Sequence, residues 1–207
     1  MREASNPWTV LSKASVYEND WIRVDHHDVL NPAGGPGVYG TVHFKAHATG
    51  IVPIDEHGHI VLVGQYRFPL RSYSWEIPEG GSGLDGSVLE SAQRELREEC
   101  GITAGCWVQI QEMDLSNSVT DERGTIFLAW GLTQEQAQPE DTERIEVARV
   151  PFWEAVERVK CGRIRDSVSI AALLRVAVMA LQGELPDAVS RLIGHPPPAG
   201  WRLESSS

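Results

Sequence analysis

Three glutamates on a short helical stretch constrain this chain more than any other feature. In Arg94-Glu95-Leu96-Arg97-Glu98-Glu99-Cys100-Gly101-Ile102, a helix turning about 100° per residue places positions 95, 98 and 99 within roughly a third of its circumference. Like charges so placed repel by about a few tenths of a kcal/mol per pair. A solvated acidic face is the plain alternative. A divalent cation among the carboxylates converts the repulsion into binding, because oxygen is the donor that Mg²⁺ and Mn²⁺ prefer. Context favours the cation. Ser87 or Asp85 is placed to cap the helix, Leu89, Ala92, Leu96 and Cys100 recur at helical spacing as its inward face, and Gly101 stands where a left-handed cap ends it. Upstream, Trp75-Glu76-Ile77-Pro78-Glu79-Gly80-Gly81 ends an apolar strand and enters a glycine-rich loop, so strand, loop and acidic helix read as one unit.

Gly80 stands fourteen residues before Arg94. The resulting pattern, G-x13-R-E-L-x-E-E-x-G-I, resembles the signature of the Nudix hydrolases. That motif also carries a Glu six residues after its first Gly, where this chain has Gly86, with Asp85 and Glu90 nearby. Val63-Gly64-Gln65-Tyr66-Arg67 followed by Trp75 to Gly80 is similar to a pair of motifs in the ADP-ribose and nucleoside-diphosphate-sugar pyrophosphatases. So is Gly162-Arg163-Ile164-Arg165-Asp166-Ser167, which resembles that subgroup's entry to its final helix. The resemblance covers residues 45 to 182. A proline about fifteen residues past the motif belongs to the ADP-ribose branch, whereas Ser116-Asn117-Ser118-Val119-Thr120-Asp121-Glu122 occupies that stretch here. ADP-ribose therefore leads, with GDP-mannose, another sugar nucleotide or a dinucleoside polyphosphate as alternatives. A catalytically weak module that binds nucleotide sugars is the alternative from another class.

The resemblance implies site residues. Glu95, Glu98 and Glu99 hold Mg²⁺ or Mn²⁺, with a main-chain carbonyl from Glu79. Arg94 orients Glu95, and Arg67 clamps phosphate, since a guanidinium matches two phosphate oxygens. Glu76 lies with Arg67 on the substrate side. The general base comes from outside the acidic helix, from the loop holding Glu140, Asp141 and Glu143, with Glu143 or Asp141 preferred. Trp8, Trp21, Tyr39 and Trp75 are candidates for stacking a nucleobase. In the resembling subgroup the N-terminal strands build a homodimer in which a partner completes the base pocket.

Charge narrows the partners. A net charge of −11 over 207 residues argues against a nucleic-acid backbone or an anionic membrane, which need surplus Lys and Arg. A small anionic nucleotide-sugar substrate remains compatible, because bound metal and a few local bases meet its phosphates. Cys100, Cys106 and Cys161 form no framework or ligand spacing and read as reduced thiols. The seven histidines show no ligand spacing either, and adjacent His26 and His27 point to opposite strand faces. Met1 to Trp8 lacks a basic start with an apolar stretch, and no apolar run reaches membrane-spanning length. A cytoplasmic location is the expectation.

Periodicity predicts the organisation. Trp8 to Val29 and Val38 to Phe44 alternate as an antiparallel pair about a Pro/Gly break, and Ile51–Ile54 with Ile60–Val63 form a second pair. Trp107–Met113, Thr125–Leu132 and Ile145–Pro151 read as strands. Phe152–Lys160 and Val168–Leu181 read as helices, the latter burying Ile170, Leu173, Leu174 and Val178. Strands interleaved with three helices predict an α/β class, a Nudix-type α/β/α sandwich around a mixed sheet with an N-terminal antiparallel β extension. The expected boundaries are 1–44 for the extension, 45–185 for the hydrolase domain and 186–207 for a C-terminal tail.

Overall fold

The computed structural model describes residues 5–84, 86–136 and 144–198. The N-terminal extension is a three-stranded antiparallel sheet in the order β1-β2-β3: β1 (Thr9–Glu18), β2 (Ile22–Leu30) and β3 (Pro36–Phe44). The stretch expected as one strand of a pair is therefore two. The break falls at Asn19, whose side-chain Oδ1 accepts the N–H groups of Trp21 (2.9 Å) and Ile22 (2.8 Å). An Asn that mimics a backbone turn in this way reverses the chain without glycine or proline, so alternation alone hides it.

The larger sheet is mixed. β4 (Ala46–Ile54), β5 (His59–Arg67), β8 (Ile102–Asp114), β9 (Arg123–Gln134) and β10 (Glu146–Pro151) run in the order β10-β5-β4-β9-β8, and β4 with β9 is the parallel pair. β6 (Ser72–Glu76) pairs with β5, and β7 (Glu79–Gly83) pairs with β4. The glycine-rich segment expected as loop is thus a strand, held by the register Ala46–Gly83 through Gly50–Glu79. Ile77 and Pro78 cross from one pairing to the other.

Period-two alternation along the central strands sorts side chains onto two cores. Ile51, Val61, Val63, Phe127 and Ala129 face α1 (Val88–Cys100), which contributes Ala92, Leu96 and Cys100. Val52, Ile54, Ile60, Leu62, Ile126 and Leu128 face α2 (Phe152–Lys160), α3 (Ser167–Gln182) and α4 (Asp187–Ile193). This is the α/β/α sandwich. α4 is a fourth helix within the stretch expected as tail, and Val189 and Ile193 bury into the core. Two inward faces differ from expectation. Leu89 is exposed while Val88 packs inward with Ala92 and Leu96 at i, i+4 and i+8. On α3, Leu174 and Val178 are partly exposed and Val168, Ala172, Val176 and Ala177 are buried instead. That helix is apolar on most of its circumference, so spacing alone does not choose its face. Among the described residues no single helix is long and apolar enough to cross a membrane.

Candidate active site

Local chemistry sets the acidic helix. Ser87 caps α1, its hydroxyl accepting the Glu90 N–H at 3.3 Å, and Gly101 ends it at φ 62°, where a Cβ would be strained. Asp85, the other capping candidate, lies outside the described residues. Ala92, Leu96 and Cys100 anchor the helix inward, which turns Glu95 and Glu99 toward β7.

Arg94 ties two of the carboxylates together. It donates to Glu95 Oε1 and to Glu98 Oε2, both at 2.5 Å, and to the Gly81 carbonyl at 3.1 Å. Burial opposes its charge, but Glu95 and Glu98 outweigh burial and raise its pKa. Arg94 thus bridges Glu95 and Glu98. Glu99 is 4% exposed, and its Oε2 accepts the Glu79 N–H at 3.2 Å. Gly80 lies against Glu95 so closely that a Cβ there would overlap the Glu95 side chain. These donors are carboxylate oxygens beside backbone of β7, a hard-oxygen set that fits Mg²⁺ or Mn²⁺.

A second cluster stands on the other side of β7. Arg67 Nε donates to both oxygens of Glu76 (3.1 and 3.0 Å), and Arg67 Nη2 pairs with Glu76 as well. Glu76 is 2% exposed, so the pair neutralises a buried charge. Burial works against the Arg67 charge, yet Glu76, Glu79 and Asp166 raise its pKa. The Glu79 carboxyl accepts from Ser169 Oγ at 3.1 Å and hydrogen-bonds Asp166. Burial first, then the Asp166 charge, push it well above the usual carboxylate range. Glu76, Asp166, Tyr73, Arg163 and Arg165 line a cleft of about 570 Å³.

The structure therefore brings Arg94, Glu95, Glu98, Glu99 and the Glu79 backbone to one place, and Arg67 with Glu76 to a neighbouring one. Glu143 and Asp141, with Glu140, lie outside the described residues. Trp8 (37% exposed) packs edge-on to Tyr39, with ring centroids 5.3 Å apart, and Trp21 is 73% exposed. Both belong to the N-terminal sheet. Trp75 packs against the core beside Tyr73. Gly86 is exposed, and a Cβ there would meet the Gly83 carbonyl at 3.3 Å. Sequence reading assigned no role to Ser169 or Asp166. Asp166 begins the Asp-Ser pair that opens α3, but Ser169 meets Glu79 across 90 residues.

Asp25, His27 and His43 form another group, with ligating atoms within 4.8 Å of one another. Cross-strand register assembles it, which sequence spacing does not show. Its carboxylate is already engaged by Lys13 (2.7 Å), His43 (2.9 Å) and Arg23 (3.1 Å), and the Lys13 hydrogen bond leads the effects that hold the Asp25 pKa at about 2. His43 Nδ1 also meets Asp121 Oδ2 at 2.6 Å. Through His43 and Asp121 the cluster ties β3 to the loop between β8 and β9.

Residues 45–173 match the family model of the NUDIX domain, and residues 8–42 match that of the nucleoside diphosphate sugar hydrolase N-terminal domain. An ADP-ribose pyrophosphatase of Mycobacterium tuberculosis is 32% identical over 178 residues, covering 84% of this chain and 84% of that protein. An ADP-ribose pyrophosphatase of Bacillus subtilis is 30% identical over 165 residues, covering 79% of this chain and 89% of that protein. Among solved structures, an ADP compounds hydrolase superposes with a TM-score of 0.77 at 23% identity, over 89% of this chain and 100% of that one, a likeness of fold.

Proposed function

The chain belongs to the Nudix hydrolase family, and on that premise we propose that it hydrolyses the pyrophosphate bond of ADP-ribose or a related nucleoside diphosphate sugar, releasing a nucleoside monophosphate and a sugar phosphate. One observation carries the reading: Glu95, Glu98 and Glu99 converge on one face of α1, with Arg94 bridging two of them and the Glu79 N–H holding the third. The ADP-ribose pyrophosphatases at 32% and 30% identity support the substrate class, as does the match of residues 8–42 to a nucleoside diphosphate sugar hydrolase N-terminal domain.

Divalent metal is a general requirement of the family, and Mg²⁺ or Mn²⁺ is the ion proposed here. When bound, it neutralises charge along the pyrophosphate and lowers the pKa of a water toward neutrality. Glu95, Glu98, Glu99 and a main-chain carbonyl at Glu79 would hold it, and Arg94 would keep Glu95 and Glu98 aimed. Water is the nucleophile: its oxygen bonds to phosphorus, its proton passes to Glu143 or Asp141, and the bridging P–O bond breaks. Arg67, aligned by Glu76, receives phosphate oxygens.

Trp8 and Trp21 stack the nucleobase across a homodimer. Supporting this, every residue of β1 is exposed in the single chain, including the apolar Val10, Leu11, Val16 and Tyr17. Light scattering tests the stoichiometry. Three free cysteines, with Cys106 and Cys161 exposed, support a reducing, cytoplasmic setting.

The deciding experiment is turnover of ADP-ribose, GDP-mannose, UDP-glucose, diadenosine polyphosphates and nucleoside triphosphates, each with Mg²⁺ and with EDTA. A Mg²⁺-dependent preference for ADP-ribose or one nucleotide sugar is expected. Binding by calorimetry without turnover on any substrate would overturn the reading.

A further inference from the structure

We propose that Ser169, on the far helix α3, is a positioning residue of the metal centre. The inference rests on the metal-site reading above and adds what holds that site's backbone in place. Ser169 is fully buried in the first turn of α3, where its N–H is capped by Asp166 Oδ2 at 2.7 Å. Its hydroxyl accepts the Ile77 N–H at 2.9 Å and donates to Glu79 Oε1 at 3.1 Å. One hydroxyl thus grips both ends of the Ile77-Pro78-Glu79 link.

That link bridges two ladders. β6 ends at Glu76 and β7 begins at Glu79, so Ile77 and Pro78 lie outside both ladders. Pro78 has no N–H to give, and its carbonyl accepts the Ile51 N–H at 2.9 Å. Ile77 is fully buried, so its N–H requires a protein acceptor, which is Ser169 Oγ. On the other side of the link, the Glu79 N–H holds Glu99 Oε2. A continuous chain of contacts therefore runs from the start of α3 through Ser169 and the β6–β7 link to a carboxylate of α1. A hydroxyl fits the task because it donates and accepts from one atom.

The test is direct Mn²⁺ binding, read by electron paramagnetic resonance without substrate, together with the Mg²⁺ concentration for half-maximal turnover, kcat and the thermal midpoint. For Ser169→Ala, Mn²⁺ affinity is expected to fall on the order of 10-fold, as for outer-shell partners of metals. The Mg²⁺ requirement should rise in parallel and by more than kcat falls. Ser169→Cys, which keeps a weak donor and acceptor at nearly the same size, should fall between the two, and it carries the test alone if the alanine variant does not fold. A lowered midpoint with unchanged Mn²⁺ affinity would overturn the proposal, leaving Ser169 a packing residue. Glu99→Gln separates the two levels: if it binds Mn²⁺ as the wild type does, the metal reading itself fails, and the role of Ser169 with it.

Discussion

Gly80 and Glu95 share one space: the volume a Cβ at position 80 would occupy is filled by the Glu95 side chain. The backbone of β7 and a carboxylate of α1 come this close because residue 80 has no side chain. Gly80→Ala should push Glu95 out of position. Since the displaced group is the flexible end of a long side chain, the cost falls on chemistry and not on folding. Metal-dependent turnover is expected to drop on the order of 100-fold, while the thermal midpoint moves by less than about 4 °C. A turnover close to wild type would show that Glu95 is not a ligand.

Glu99→Gln keeps an oxygen to accept the Glu79 N–H but removes the charge. The fold should persist, and turnover should fall by more than the roughly 10- to 100-fold typical of outer-shell partners of a metal. Steady-state kinetics across a Mg²⁺ titration, with circular dichroism as the folding control, reads both.

Arg67→Ala should raise KM and also destabilise, because Glu76 keeps a charge that is 2% exposed. Breaking a fully buried pair costs about 3–5 kcal/mol; the Arg67 side chain is itself 37% exposed, so roughly 1–3 kcal/mol is expected here. Adding Glu76→Gln should recover stability and leave KM high. Denaturant melts and KM on the single and double variants separate the structural role of Arg67 from its role toward substrate.

Glu79 gives the protein a pH dependence of definite sign. Its carboxyl titrates well above an unfolded glutamate, raised chiefly by burial. Between the ordinary glutamate pKa of about 4.3 and the raised native value the folded state binds more protons than the unfolded one. Stability from this group is thus fully present below the ordinary value and is lost as pH rises through the native one. Glu79→Gln removes the titration while keeping an acceptor for Ser169 and an N–H₂ for Asp166. Thermal melts in EDTA should show the variant gaining on the wild type as pH rises above about 5. A parallel pair of curves would refute the raised titration.

The acidic helix was legible because its information is local. Residues 95, 98 and 99 meet through helical periodicity, Gly101 marks its own left-handed cap, and the apolar strands alternate in register with their cores. What escaped was assembled across distance or hidden by redundancy. Ser169 reaches Glu79 across 90 residues, and His43 reaches Asp121 across 78. No short-range pattern encodes such meetings. The apolar circumference of α3 offered several possible faces, and the choice of Val176 over Leu174 was made by the sheet it packs on. The Asn19 turn was invisible to a search for glycine and proline, since its geometry comes from a side-chain oxygen.

The seam between the N-terminal sheet and the larger one is fastened apart from either core. It is made of polar links: Tyr39 OH to the Ser118 carbonyl at 2.7 Å, the Val42 N–H to the Val119 carbonyl at 2.9 Å, and His43 to Asp121. None of these residues belongs to the cores that hold α1 and α3. The fastening of β1 to β3 and the packing that fixes the carboxylate helix are therefore independent of one another. A substitution in β1 to β3 that spares these polar links leaves the carboxylate helix seated on its own core.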